Sequence, residues 1–416
     1  MKIIRFSSKE LDKIYNRGFI RHKRIEEKVK RIIEDVRLFG DEALIKYTKK
    51  FDGVKLSVKQ LKVFEIEISG AYQNISPNFV SSLKIIIENI NRFYRKSIKK
   101  SWRIKDADGV ILGENYIPLE KVGIYIPAGT APLVSSVYMT VLPAKIAGVK
   151  KIVLISPPDK NGNINPHILV VADLLKVDEI YRAGGAQAIA ALAYGTKTIP
   201  RVDKIVGPGN IYVNEAKRQV FGNVDIDMMA GPTELVIIAN RHSDPKFIIA
   251  DLKAQAEHKQ GISILITNSK NLAKEIKSQS DHMKGFIILT KNLRQAVEIT
   301  NEIAPEHLEI LVKNPQRLIK GIKNAGAIFL GPFSPTAVGD YVAGPSHVLP
   351  TGGTARFFSG LSVFDFVKSS HIISYSKKAL EKVREPLEKI ASIEGLNKHL
   401  DSVQIRFDQQ KEGKSQ

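Results

Sequence analysis

The chain of 416 residues contains no cysteine. That excludes a disulfide framework, a thiolate zinc site, an iron–sulfur cluster and aldehyde oxidation through a cysteine thioester. Any metal must be held by nitrogen and oxygen. Tryptophan occurs once, and no apolar run approaches the roughly 18 residues that a membrane helix requires. Met1 to Glu10 lack an apolar stretch of signal-peptide length. The expected location is cytoplasmic, with no membrane partner. Acidic residues are in deficit, 43 Asp and Glu against 63 Lys and Arg, for a formal charge of +20. Such a surplus can mark a nucleic-acid surface. No helix-turn-helix, zinc-finger or RNA-binding aromatic motif accompanies the densest basic stretch, Arg95 to Lys105. Elsewhere basic and acidic residues interleave, as in Lys23-Arg24-Ile25-Glu26-Glu27-Lys28, the pattern of a solvated helix face. A solvated surface, not a nucleic-acid partner, is the expected role of the charge.

What is present is a globular composition, 43% apolar and 25% charged, on a chain too long for one ordinary core. Residues 22–50 carry a roughly helical apolar stripe, Ile25, Val29, Ile32, Ile33, Val36 and Leu38, punctuated by Gly40-Asp41. Residues 79–100 repeat it with Leu83, Ile86, Ile87, Ile90 and Phe93. From residue 121 short apolar runs alternate with helical stretches: 122–126, 151–155, 179–181 and 204–206 read as strands. A second series runs through 234–238, 263–266, 286–289 and 327–330. This alternation predicts an α/β protein of two related, doubly wound layers, with small helical segments at each end. The expected division is an N-terminal segment, 1–22, and a discontinuous α/β domain, 23–121 with 234–370. A second α/β domain spans 122–233, and a C-terminal segment spans 371–416. The polar tail from Gln409 is expected to be disordered.

Chemistry-bearing residues concentrate in the second half. Ala304-Pro305-Glu306-His307 sets an acid beside a base, at a helix start or in a loop. His suits proton transfer near neutral pH, and a carboxylate can activate water. Taken alone, the same residues are more often a capping Glu and a packed His. Asp244 to His258 reads as a helix stopped by Gly261, with Gln255 and His258 on one face near its end. They could grip a metal or simply finish a polar helix end. Gly339-Asp340-Tyr341-Val342-Ala343-Gly344-Pro345-Ser346-His347 has the composition of a binding loop, with Asp340 a possible hard oxygen ligand. Gly184-Gly185-Ala186-Gln187 and Gly207-Pro208-Gly209-Asn210 each join a strand to a helix, where backbone N–H groups favour phosphate. Neither is the Gly-x-Gly-x-x-Gly fingerprint, and glycine-rich strand ends also occur without a nucleotide.

Taken together, these stretches resemble the histidinol dehydrogenase family. The resemblance starts at Ile32-Ile33-Glu34-Asp35-Val36-Arg37 and passes through Phe51-Asp52-Gly53, Gly184 to Ala188 and Gly207 to Asn210. It continues through Ala230-Gly231-Pro232-Thr233-Glu234, Gln255 to His258, Ala304 to Leu308 and Gly339 to Thr351, reaching Glu394-Gly395 and His399. It implies a zinc enzyme, one metal per subunit, that uses two NAD+ to oxidise L-histidinol through the aldehyde to L-histidine in histidine biosynthesis. It further implies Gln255, His258, Asp340 and His399 as zinc ligands and Glu306 and His307 as the catalytic pair. Thr233, His347 and Glu394 would hold substrate together with His307 and the metal ligands, and Tyr125, Gln187 and Asn210 would line the NAD site. A homodimer would share its active sites through the C-terminal segment. Three departures stand out: Thr233 in place of Ser, Ala128 in place of a Gly, and Pro345-Ser346 before His347. None removes a ligand or the acid/base pair. Two other readings compete. One is a related zinc- and NAD-dependent dehydrogenase of another small polar alcohol. The other is a nucleic-acid-binding protein, which would leave Glu306-His307 unexplained.

Overall fold

The computed structural model describes residues 1–6, 9–17, 22–128, 131–258 and 261–408. The tail from Gln409 and Gly129 of the loop after Ile126 lie outside the described residues. The chain divides into two compact units, Met1–Ile98 with Pro118–Val367, and Lys99–Ile117 with Lys368–Gln416.

The first unit contains two parallel sheets. One has five strands in the spatial order Glu179–Arg182, Lys151–Ser156, Lys121–Tyr125, Lys204–Val206, Asp225–Ile226. The other has six, in the order Lys2–Arg5, Gly285–Leu289, Ile262–Thr267, Glu234–Ala239, His307–Ile310, Ala327–Leu330. Apart from the added N-terminal strand, both sheets place the strands of their series third, second, first, fourth, fifth. The two layers are thus related, as the alternating pattern predicts. Their strands are continuous runs of Val, Ile and Leu because helices cover both faces. Helices Val134–Ala147 and Pro166–Leu174 cover one face of the five-stranded sheet. Lys23–Phe39, Asp41–Phe51, Gly185–Tyr194 and Ile211–Val220 cover the other.

Helix Lys23–Phe39 buries Val29, Ile32, Ile33 and Val36, the i, i+3, i+4, i+7 face of its expected stripe, while Leu38 falls off that face and is 73% exposed. Its partners are in the five-stranded layer, so residues 23–51 pack with 122–233, where the sequence pattern had attached them to 234–370. The reason is that an amphipathic stripe specifies burial but not which sheet provides it. The N-terminal segment contributes an edge strand, paired with Phe286–Leu289, and the short helix Glu10–Tyr15.

The second unit holds a three-stranded sheet, Val367–Ser374, Ile111–Pro118, Trp102–Lys105, and the helices Lys377–Lys382, Arg384–Ile393 and Asn397–Asp408. Pro386 does not interrupt the helical tail. It sits in the first turn of its helix, where its missing N–H costs nothing.

Candidate active site

In open α/β sheets the crevice lies where the winding reverses, between the first and fourth strands of a series. The carboxyl edge of the five-stranded sheet has such a point, flanked by Tyr125 and Gly207. Tyr125 ends its strand, and its hydroxyl accepts from the Gly185 amide at 3.1 Å. Burial pushes that phenol up to about 12, so it stays neutral. Gln187, in the helix Gly185–Tyr194, is fully buried, and neither its amide oxygen nor its amide nitrogen has a partner among the described residues. A buried amide carries a desolvation cost until something bonds to it. Asn210 is exposed and caps the helix Ile211–Val220, its Oδ1 accepting from Tyr212 and Val213 at 3.0 and 3.1 Å. Its Nδ2 donates to none of the described residues. These residues fit a dinucleotide at the strand ends: an orphaned amide, a phenol and two helix N-termini.

The acid/base pair sits at the opposite edge of the other sheet, again at the reversal. Thr233 precedes the first strand, which Glu234 begins, and Glu306 precedes the fourth, which His307 begins. His307 starts a strand rather than a helix or loop: Leu308 and Ile310 alternate into one core, leaving His307 and Glu309 on the opposite face with Leu235 and Ile237. The helix Leu293–Ile303 stops at Ala304, whose positive φ of 49° and the following Pro305 turn the chain into that strand.

Glu306 and Glu234 are bonded reciprocally. The Glu306 carboxylate accepts from the Glu234 amide at 3.3 Å, and the Glu306 amide donates to the Glu234 carboxylate at 3.2 Å. Glu234 is anchored further by the Gly352 amide at 2.7 Å and by Arg17 Nε at 2.8 Å. Burial raises Glu234 above the ordinary carboxylate range, against the pull of Arg17. Burial likewise pushes Glu306 up to about 7, against the opposing effects of His307 and the Thr233 hydroxyl. The Thr233 Oγ1 also accepts from Gln255 Nε2 at 3.3 Å.

His307 lies between two carboxylates, its Nδ1 3.7 Å from Glu306 and its Nε2 3.4 Å from Asp340. Neither ring nitrogen has a hydrogen-bond partner among the described residues. Burial by itself would lower its basicity, but Glu306 and Asp340 outweigh it, and the imidazole is held above its usual value. Behind it, Glu309 accepts from the amide of Thr336, the first residue of the helix Thr336–Tyr341 that carries Asp340, at 2.9 Å. Burial and the neighbouring Asp251 push Glu309 up to about 8.

His347 bonds to both halves of the unit. Its Nδ1 lies 2.9 Å from the Asp340 carbonyl and its Nε2 3.3 Å from the Ser136 hydroxyl. A carbonyl can only accept, so Nδ1 carries the proton and Ser136 donates to Nε2. Burial lowers His347 below its usual value, which keeps this tautomer neutral.

The metal-ligand candidates are dispersed. Gln255 is buried in the last turn of the helix Pro245–Ala256; its Nε2 donates to Thr233, and its Oε1 accepts no hydrogen bond from the described residues, which suits an oxygen ligand. His258 is exposed in the turn just beyond, so the expected helix ends sooner and the two do not share a buried face. Glu394 caps the helix Arg384–Ile393 and His399 lies in Asn397–Asp408, both exposed in the second unit. Among the described residues no three His, Asp or Glu side chains gather closely enough to hold a metal. The donor types still suit a borderline cation such as zinc, which accepts nitrogen and oxygen together.

Sequence reasoning missed Arg17, Asp251, Ser136 and Glu309 as parts of this site. The one available signal was Glu309, an acid inside the apolar run Leu308 to Val312.

Comparison with known proteins gives the family. The profile of the histidinol dehydrogenase family matches residues 16–407. The histidinol dehydrogenase of Clostridium acetobutylicum is 50% identical over 396 residues, covering 91% of each chain. That of Caldanaerobacter subterraneus subsp. tengcongensis is 49% identical over 422 residues, covering 96% of this chain and 98% of the relative. The crystal structure of histidinol dehydrogenase from Elizabethkingia anophelis superposes with a TM-score of 0.92 at 35% identity, covering 98% of both chains. A match over nearly the whole length, with the acid/base pair buried at the sheet edge, means that this chain is an oxidoreductase belonging to the histidinol dehydrogenase family.

Proposed function

We propose that this protein oxidises L-histidinol to L-histidine in two successive steps at one site, each passing a hydride to NAD+, as the last reactions of histidine biosynthesis. The observation that carries the reading is the buried Glu306–His307 pair, with His307 between Glu306 and Asp340 and, among the described residues, no hydrogen-bond partner on either ring nitrogen. In the first step His307 takes the hydroxyl proton while the carbinol hydride leaves, giving the aldehyde, NADH and one proton. In the second, Glu306 removes a proton from water as it adds to the aldehyde carbon. The resulting hydrate would give its hydride to the acceptor that a second NAD+ would supply, leaving as an acid that releases its proton to become the carboxylate.

Glu306 and His307 differ in the environments that prepare them. Glu306, at about 7, is divided between its two forms near neutrality, which suits a group that must take a proton from water and release it. His307 is steered by two carboxylates, and Glu309 fixes the helix that carries one of them. Zinc held by Gln255, His258, Asp340 and, across a homodimer, His399 would supply a Lewis acid that grips the imidazole and amine of the substrate. NAD+ at Tyr125, Gln187 and Asn210 would supply the hydride acceptor. Thr233, His347 and Glu394 complete the proposed substrate contacts. His347, neutral and bonded to Ser136, ties the substrate side to the helix that follows the cofactor strand.

No described helix is long and apolar enough to cross a membrane, and we place the enzyme in the cytoplasm with its biosynthetic role. The test is NADH formation from histidinol against other amino alcohols and diols, with and without a chelator. Selective, chelator-sensitive turnover of histidinol supports the reading. Preference for another alcohol would assign the chain to a different dehydrogenase.

A further inference from the structure

Lys217 and Asp227 are sealed from water, each with 2% of its side chain exposed, and neither has a part in the chemistry above. Lys217 lies in the helix Ile211–Val220, and Asp227 follows the strand Asp225–Ile226. Their Nζ and Oδ1 atoms meet at 2.7 Å. Both also hold Gly207. The Gly207 amide donates to Asp227 Oδ2 at 2.8 Å, while the Lys217 ammonium donates to the Gly207 carbonyl. Donor and acceptor of one residue are thus gripped from the two charges of one ion pair.

Gly207 opens the loop that carries Asn210. Its φ is +120°, and a Cβ there would lie 2.1 Å from the Tyr125 carbonyl oxygen. Only glycine can pass this point, and glycine has little preference of its own for any one conformation. The loop therefore needs an external constraint. A second grip lies two residues on, where Asn214 Nδ2 donates to the carbonyls of Gly209 at 3.4 Å and Ala230 at 3.2 Å. Burying two charges costs about what their attraction returns, so such a pair is poorly suited to adding stability. It is well suited to fixing a geometry.

We propose that Lys217 and Asp227 are a positioning pair that presets the Gly207–Asn210 loop for the pyrophosphate of the dinucleotide. This rests on the cofactor reading above. A loop ordered before the ligand arrives spares binding the cost of ordering it.

The test uses the full-length Lys217→Met/Asp227→Leu double variant. It removes both charges together, so no buried charge is left unpaired to unfold the protein. In the absence of nucleotide, amide hydrogen exchange at Gly207, Gly209 and Asn210 should quicken by about tenfold or more, with the core strands still protected. NAD+ should bind about tenfold or more weaker by titration, while kcat at saturating NAD+ falls by less than about threefold. Unchanged exchange in the folded variant overturns the clamp, whatever NAD+ does. Faster exchange with unchanged NAD+ affinity overturns its role in cofactor binding. Wild-type protein that binds no NAD+ overturns the cofactor reading, and this inference with it.

Discussion

Replacing Glu306 by Gln keeps the shape of the side chain and removes its capacity to accept a proton. Burial places this carboxyl at about 7. The ionised fraction should therefore climb from about one in eleven at about pH 6 to about ten in eleven at about pH 8. A general base works only when ionised, so oxidation of the aldehyde should rise about tenfold across that window. In Glu306→Gln this acid limb should vanish, with the aldehyde step slowed by about 10²–10⁴-fold and the alcohol step much less affected. The same burial has an opposite signature in stability. A carboxyl raised from its ordinary 4.5 favours the folded protein while protonated, and that contribution is lost as pH rises through about 7. The difference corresponds to about 3 kcal/mol, so the Gln variant should melt higher than wild type at about pH 8 and lose that advantage at about pH 5. The assay follows NADH from histidinol and from the aldehyde separately across pH, beside thermal melts. Equal losses in both half-reactions, or a wild-type aldehyde step that does not change between about pH 6 and about pH 8, would refute the role given to Glu306.

Other consequences can be checked independently. His307→Ala should lower turnover by about 10²–10⁴-fold while NAD+ still binds, and unchanged turnover at neutral pH would remove His307 as the base. His258→Ala or His399→Ala should each lose stoichiometric metal and activity but keep a cooperative melt, and full metal content by elemental analysis would mean the ligand set is wrong. Glu309→Gln retains an acceptor for the Thr336 amide and removes a buried acid. Because burial and Asp251 raise Glu309, its stabilising contribution fades as pH rises, so this variant should gain melting temperature over wild type at alkaline pH. An unchanged difference from acid to alkaline pH would count against the buried acid pair. If the sites are shared, refolding His307→Ala together with His399→Ala should restore activity, because one site of a mixed dimer carries neither defect. Mixed dimers that form and stay inactive would assign the C-terminal segment to its own subunit.

Much of the fold was legible because two parallel sheets must be written as repeated apolar runs separated by helices. The runs 122–126, 151–155, 204–206 and 234–238 are strands within a residue or two. Short or mixed strands were not legible. Lys2–Arg5 and Trp102–Lys105 lack the length and apolarity to stand out, and His307–Ile310 carries two ionisable side chains in four residues. Partner choice was hidden too, since the stripe of Lys23–Phe39 does not name the sheet it covers. At the site, Glu306-His307 was visible as a motif, but its support comes from residues distant in sequence. Arg17 reaches Glu234, Ser136 reaches His347, and Lys217 reaches Gly207 only once the chain is folded. The metal-ligand candidates were legible through the family pattern rather than through spacing, and within the described residues of one chain they do not form a cluster of three.

The central claim is that one site carries out both oxidations. The direct measurement is the ratio of NADH formed to histidinol consumed, with the product identified, at limiting histidinol and saturating NAD+. About two NADH per histidinol, with histidine as product, is the expected result. A ratio of about one, with the aldehyde accumulating, would contradict it.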